Sequence, residues 1–189
     1  LVGGVLFPFW PLLLEVRGLQ AGQIGLLLAL ALWLRAAAGP FVAWQADRSG
    51  APKKVLVACA VAALAVMPSF YWAAEFWPLL LATFAFFFAY SSVGPLAETI
   101  SLRTVSAEQG YGRVRLWGSV SFVVAAIAGG FLLDARGDLQ ASTIVTLLLV
   151  TLAILLAASL ILPRAPAARA ARGLAPLKTP LSSKPFVLF

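Results

Sequence analysis

Apolar residues run along this chain in six long stretches, and the charged residues fall almost entirely between them. The stretches predict helices over about Leu1–Leu14, Gln23–Gln45, Val55–Ala73, Phe76–Thr99 (with an extension toward Ser106), Val114–Leu133 and Ala141–Leu162. A bilayer's hydrocarbon core is about 30 Å thick and takes about 20 helical residues, so five of the six are long enough to cross it. The first covers only about 21 Å. It carries Pro8 and Pro11, stops at Glu15 and Arg17, and reads as the second half of a first span; the competing reading, a signal-peptide core, lacks a basic flank. After Pro163 the chain turns to Arg, Ala, Pro, Lys and Ser, the chemistry of a linker. The expected organisation is therefore a six-helix bundle over 1–162, a basic linker over 163–184, and the start of a seventh span over 185–189.

Composition narrows the class. The chain is 62% apolar and 11% charged, with a mean hydropathy of +0.97, well above a soluble domain's usual ~45–50% apolar. This is an all-α membrane protein. A net charge of +7 would suit nucleic acid if it were spread over a soluble face, but the charges cluster in connectors, so nucleic acid is not expected as a partner. With no histidine and one cysteine, Cys59, the sequence holds no disulfide framework, no histidine metal site and no Ser-His-Asp triad. No nucleophile and base stand out, and neither an enzyme nor a resident cofactor is expected. Cys59 lies in an apolar run and reads as a packed small hydrophobe.

The basic residues also give an orientation. The connectors after spans two, four and six hold Arg48, Lys53, Lys54, Arg103, Arg113, Arg115, Arg164, Arg169, Arg172, Lys178 and Lys184, eleven of the fourteen Lys and Arg. The opposite side holds Arg17 and Arg136. Because basic connectors stay in the cytoplasm, the even connectors and the linker are expected there, in a bacterial inner membrane.

Two charges sit where a membrane protein should not tolerate them idly. Arg35 falls near the centre of span two, where a charge costs at least about 2.5–3.5 kcal/mol unless it meets a cavity or a partner. It points to a transport pathway or to helix packing. Arg115 opens the fifth span and is either an interface anchor or a cavity-lining charge. With Ser119 and Phe122 it follows the spacing i, i+4, i+7, which puts all three on one helical face. A guanidinium can hold a carboxylate through two parallel hydrogen bonds, so Glu98 and Arg115 can neutralise each other and re-partition toward a solute. Glu98 reaches the membrane interior only if the fourth helix runs well past Thr99.

Other positions carry structural readings. Gly94 and Pro95 should bend span four just before Glu98. Its aromatic run, Phe84 to Tyr90, reads as lipid-facing or packed. Trp10, Trp72 and Trp77 fit an aromatic belt. Small residues in span two, and the Gly129-Gly130 pair, suit close helix contact.

Two strings resemble a known family. Asp47-Arg48-Ser49-Gly50-Ala51-Pro52-Lys53-Lys54 resembles the cytoplasmic signature between helices two and three of the major facilitator superfamily, though Ala43 stands where that signature usually has glycine. Tyr111 to Ser119, with the segment Pro95-Leu96-Ala97-Glu98, resembles the branch of oligosaccharide permeases, nucleoside-proton symporters and phenylpropionate transporters. The resemblance implies half of a twelve-helix transporter that alternates access by rocking against a second six-helix half, monomeric when complete. It implies that Asp47, Arg48, Gly50, Lys53 and Lys54 help hold one conformational state. It also implies that Glu98, Arg115, Ser119 and Phe122 bind a sugar, nucleoside or aromatic acid carried with protons. Arg35, whose estimated depth differs from that of Glu98 by roughly 15 Å, is expected to help hold the solute without pairing with Glu98. In the lactose permease the position of Phe122 is Trp, so a ring remains but the indole donor is lost. A non-transporting membrane sensor or scaffold with the same fold is the alternative.

Overall fold

The computed structural model describes residues 1–104, 111–135 and 140–162; the expected linker over 163–184 and the apolar residues 185–189 lie outside the described residues. The described chain is helical throughout: α1 Val2–Val16, α2 Ala21–Ser49, α3 Pro52–Val66 continued by a 3-10 turn Met67–Tyr71, α4 Phe76–Tyr90, α5 Val93–Thr104, α6 Tyr111–Ala135 and α7 Ala141–Ile161. α3 and its 3-10 turn form one span, and α4 and α5 form another. Five spans are long and apolar enough to cross a membrane, and α1, at 15 residues, is shorter.

Local chemistry explains where the helices end. α1 closes in a Schellman motif: Leu19 N–H donates to Leu14 C=O and Gly18 N–H to Glu15 C=O, while Gly18 takes φ +82°. α2 runs beyond the expected Gln45 to Ser49, because the residue able to turn left-handed is Gly50, at φ +60°. At its other end Gln23 Oε1 accepts the Gln20 N–H, which satisfies a donor just ahead of the first turn. α3 starts earlier than expected because Pro52 suits the first turn. Pro68 has no N–H to continue the α-helical ladder, and the span tightens there into its 3-10 turn. In the fourth span the break falls at Ser91 and Ser92, ahead of the expected Gly94-Pro95 bend. Pro95 has no donor for the carbonyl four residues back, at Ser91, so the interruption is felt one turn upstream.

Packing follows a paired pattern. Span one touches spans two, five and six; span two touches three and four; span three touches four and six; and span five touches six. Exchanging one with four, two with five and three with six maps the one–five contact onto two–four, one–six onto three–four, and two–three onto five–six. These three correspondences fit two three-helix units in inverted repeat, while among the described residues the one–two contact has no counterpart of comparable size between four and five.

Because lipid tails are as apolar as leucine, helices in a membrane associate through shape and small residues rather than hydrophobic expulsion. α1 crosses α6 at Gly4, where an added Cβ would lie 2.2 Å from the Phe122 carbonyl oxygen. They meet again at Gly129, where a Cβ would lie 2.6 Å from the Phe9 ring. Gly130 and the span-two glycines Gly22, Gly25 and Gly39 have open space instead, so the expected close contact holds for Gly129 alone of these.

Trp10 is the second correction. Expected in an interfacial belt, it is 2% exposed, on the same side of α1 as Leu6, Leu13 and Leu14. Its ring stacks on Phe86 at 5.3 Å and meets Phe70 and Phe87 edge-on at 5.1 and 5.3 Å, tying α1 to the 3-10 turn and α4. Trp72 and Trp77, 79% and 69% exposed, keep the belt reading. A second apolar cluster (Val42, Ala46, Leu56, Val93, Leu96, Ile100) joins α2, α3 and α5.

Two long side chains fasten the ends. Arg17, just after α1, donates through Nη2 to the carbonyls of Phe70 (2.5 Å) and Tyr71 (3.1 Å), which terminate the 3-10 turn. Across the molecule, Lys53 Nζ donates to Leu160 C=O at 2.7 Å and to Leu162 C=O, capping the open end of α7 from the first turn of α3.

Candidate functional site

The break at Ser91 and Ser92 restarts the fourth span as α5, and α5 continues to Thr104. Glu98 therefore lies within a helix, about 9 Å short of its last residue, as the longer reading of span four required. On α6, Arg115 lies in the first turns, with Ser119 and Phe122 one and two turns on.

The structure brings these four residues together. Glu98, Arg115, Ser119 and Phe122 line one open groove of about 490 Å³, completed by Gly118 and Val123. The groove can offer an acidic acceptor, a forked cationic donor, a hydroxyl and an aromatic ring. Ser119 donates to the Arg115 carbonyl at 3.2 Å, which leaves its oxygen lone pairs toward the groove as acceptors. Gly118 has nothing within 4 Å of where its Cβ would be, so the groove floor there is bare backbone.

Arg35 stands apart. It lines a neighbouring hollow of about 230 Å³ between α1 and α2, with Phe7, Trp10 and Phe87 among its walls. Its guanidinium lies 5.6 Å over the Phe7 ring, within range of a cation–π contact. Phe7 in turn lies 6.4 Å from Phe122, which borders the Glu98 groove. Two rings thus bridge the two arginines. Sequence reasoning missed Phe7: nothing in a short apolar stretch distinguishes the one phenylalanine that stays half exposed beside buried Leu6 and Phe9.

The connector string divides into separate tasks. Gly50 makes the turn, Lys53 caps α7, and Arg48 lies 5.2 Å over the Trp44 ring. Asp47 and Lys54 are exposed at the same end of the bundle.

This arrangement, a polytopic helical bundle of inverted three-helix units with a polar groove between spans, is that of a membrane transporter unit. Residues 2–176 match the model of the MFS_1 like family, and the chain belongs to that family, within the major facilitator superfamily. It is 31% identical over 133 residues to the maltose permease of Geobacillus stearothermophilus, covering 69% of this chain and 34% of that protein. It is 32% identical over 136 residues to the probable 3-phenylpropionic acid transporter of Escherichia coli (strain K12), covering 67% of this chain and 34% of the relative. It is 31% identical over 120 residues to the uncharacterized transporter YwbF of Bacillus subtilis (strain 168), covering 62% and 30%. The chain spans about a third of the length of the curated relatives it matches. No solved structure matches it.

Proposed function

We propose that the chain is the N-terminal six-helix half of a secondary active transporter, which moves a small ring-bearing solute by alternating access and couples that movement to protons. The observation that carries this reading is the shared groove of Glu98, Arg115, Ser119 and Phe122. A groove of about 490 Å³ falls within the size range of small-molecule sites. Charges placed inside spans are costly unless they serve a cavity or a partner. Glu98 would accept hydrogen bonds from solute hydroxyl or amine groups, Arg115 would hold an acceptor or carboxylate, and Phe122 would stack on the ring. Arg35 would engage the solute from the adjoining hollow, across Phe7. Sugars, nucleosides and aromatic acids are the solute classes that fit, and the names of two relatives point to a sugar and to an aromatic acid.

Asp47, Arg48, Gly50, Lys53 and Lys54 would hold one of the two access states from the cytoplasmic side of an inner membrane, the side on which the basic connectors gather. A second six-helix half would supply the opposite wall of the crevice. The test is uptake of a panel of sugars, nucleosides and aromatic acids by the complete protein in proteoliposomes, with and without an imposed pH gradient. Uptake of one class, accelerated by the gradient, is expected. Indifference to the gradient would remove proton coupling, and no uptake of any class would favour a non-transporting scaffold.

A further inference from the structure

A second groove, of about 560 Å³, lies between α2, α3 and α4, and none of its lining residues lines the groove of Glu98 and Arg115. Its polarity changes along its length. At the connector end stand Gln45, Ser49 and Lys54; toward the membrane interior the walls are Phe41, Cys59 and Phe88. From Lys54 to Ala62, the deepest α3 residue lining it, is about 12 Å of helix, nearly the hydrocarbon depth of one leaflet. A further hollow of about 460 Å³ lies against the first turns of α3 and shares Ala51, Lys54 and Ala58 with the groove. Lys54 therefore stands on the saddle between two hollows.

The two neighbouring lysines are not equivalent. Lys53 is committed to the carbonyls of Leu160 and Leu162. The Lys54 ammonium is exposed at the head of the groove, beside Arg48 and Lys53 and with Asp47 as the acidic residue of the connector, a locally basic balance of three to one. We propose that this groove seats one anionic phospholipid, with its phosphate on the Lys54 ammonium and an acyl chain lying along the apolar walls toward Ala62. An anionic headgroup complements the basic connector, and an acyl chain complements the apolar walls below it. This goes beyond solute transport and does not depend on it.

Cys59 lies in the groove and is the one cysteine of this sequence, so its thiol reports occupancy directly. The experiment uses the complete protein, with any cysteine other than Cys59 replaced by serine, in nanodiscs of phosphatidylcholine alone or with phosphatidylglycerol. N-ethylmaleimide alkylation of Cys59 is followed by mass spectrometry. Phosphatidylglycerol should slow alkylation about fivefold, the factor that one lysine–anionic lipid contact supplies. K54Q should abolish the difference while leaving the elution profile unchanged. Equally fast alkylation in both lipids overturns the proposal, because the groove then favours no anionic lipid. Equally slow alkylation in both also overturns it, because the groove is then covered without any preference for an anionic headgroup. Protection by phosphatidylglycerol that survives in K54Q overturns the placing of the headgroup on Lys54.

Discussion

The Phe7 ring of α1 lies 6.4 Å from the Phe122 ring of α6, with the planes inclined at 38°. This contact joins the hollow of Arg35 to the groove of Glu98 and Arg115. If both rings face one solute, Phe7→Ala should weaken apparent affinity about two- to tenfold, the effect of losing an aromatic contact of about 0.5–1.5 kcal/mol. Phe7→Tyr should retain most of it. Uptake kinetics on the complete protein check this, with membrane insertion monitored alongside.

The α1–α6 crossing makes a sharper structural prediction. Gly4→Ala would drive a methyl into the Phe122 carbonyl, which no side-chain rotation can relieve. Overpacking of this kind costs about 1–3 kcal/mol. Gly129→Ala meets the Phe9 ring, which can shift, and should cost less. Gly130→Ala, with open space at its Cβ, should be neutral or slightly stabilising. Thermal unfolding in detergent should rank the three in that order.

Arg17 fixes the end of the first span to the end of the third. Arg17→Gln removes charge-assisted bonds to the Phe70 and Tyr71 carbonyls, each worth about 1.5–3 kcal/mol. It should raise hydrogen exchange at 67–73 while leaving exchange in α6 unchanged. Arg17→Lys should restore part of the protection, since one ammonium can still reach one carbonyl.

Lys53 and Lys54 should separate in the same way. Lys53→Gln should speed exchange over the last turn of α7, where Leu160 and Leu162 lose their donor. Lys54→Gln should leave α7 exchange unaltered.

The six spans were legible because apolar length and charge placement suffice to mark a crossing helix. The fine placement was not. Helix ends depended on which residue could adopt a left-handed turn, and Gly50 carried α2 past the expected Gln45 to Ser49. Trp10 was misplaced because composition cannot tell which side of α1 meets α4, and only the packed bundle shows it among Phe70, Phe86 and Phe87. Within the candidate site, the shared face of Arg115, Ser119 and Phe122 followed from helical spacing alone. The presence of Glu98 in the same groove rested on the length of α5. The separation of Arg35 from Glu98 followed from their different depths along their spans, whereas the bridging role of Phe7 is a tertiary fact with no local signature.

The central claim is that Glu98 and Arg115 grip the solute together. Its most direct test is uptake by the complete protein carrying Glu98→Gln or Arg115→Gln, with surface labelling to confirm normal insertion. Removing a charge-assisted hydrogen bond to the solute costs about 1.5–3 kcal/mol, so each variant should lose at least about tenfold in uptake efficiency. Uptake at the wild-type rate in both variants would contradict the account.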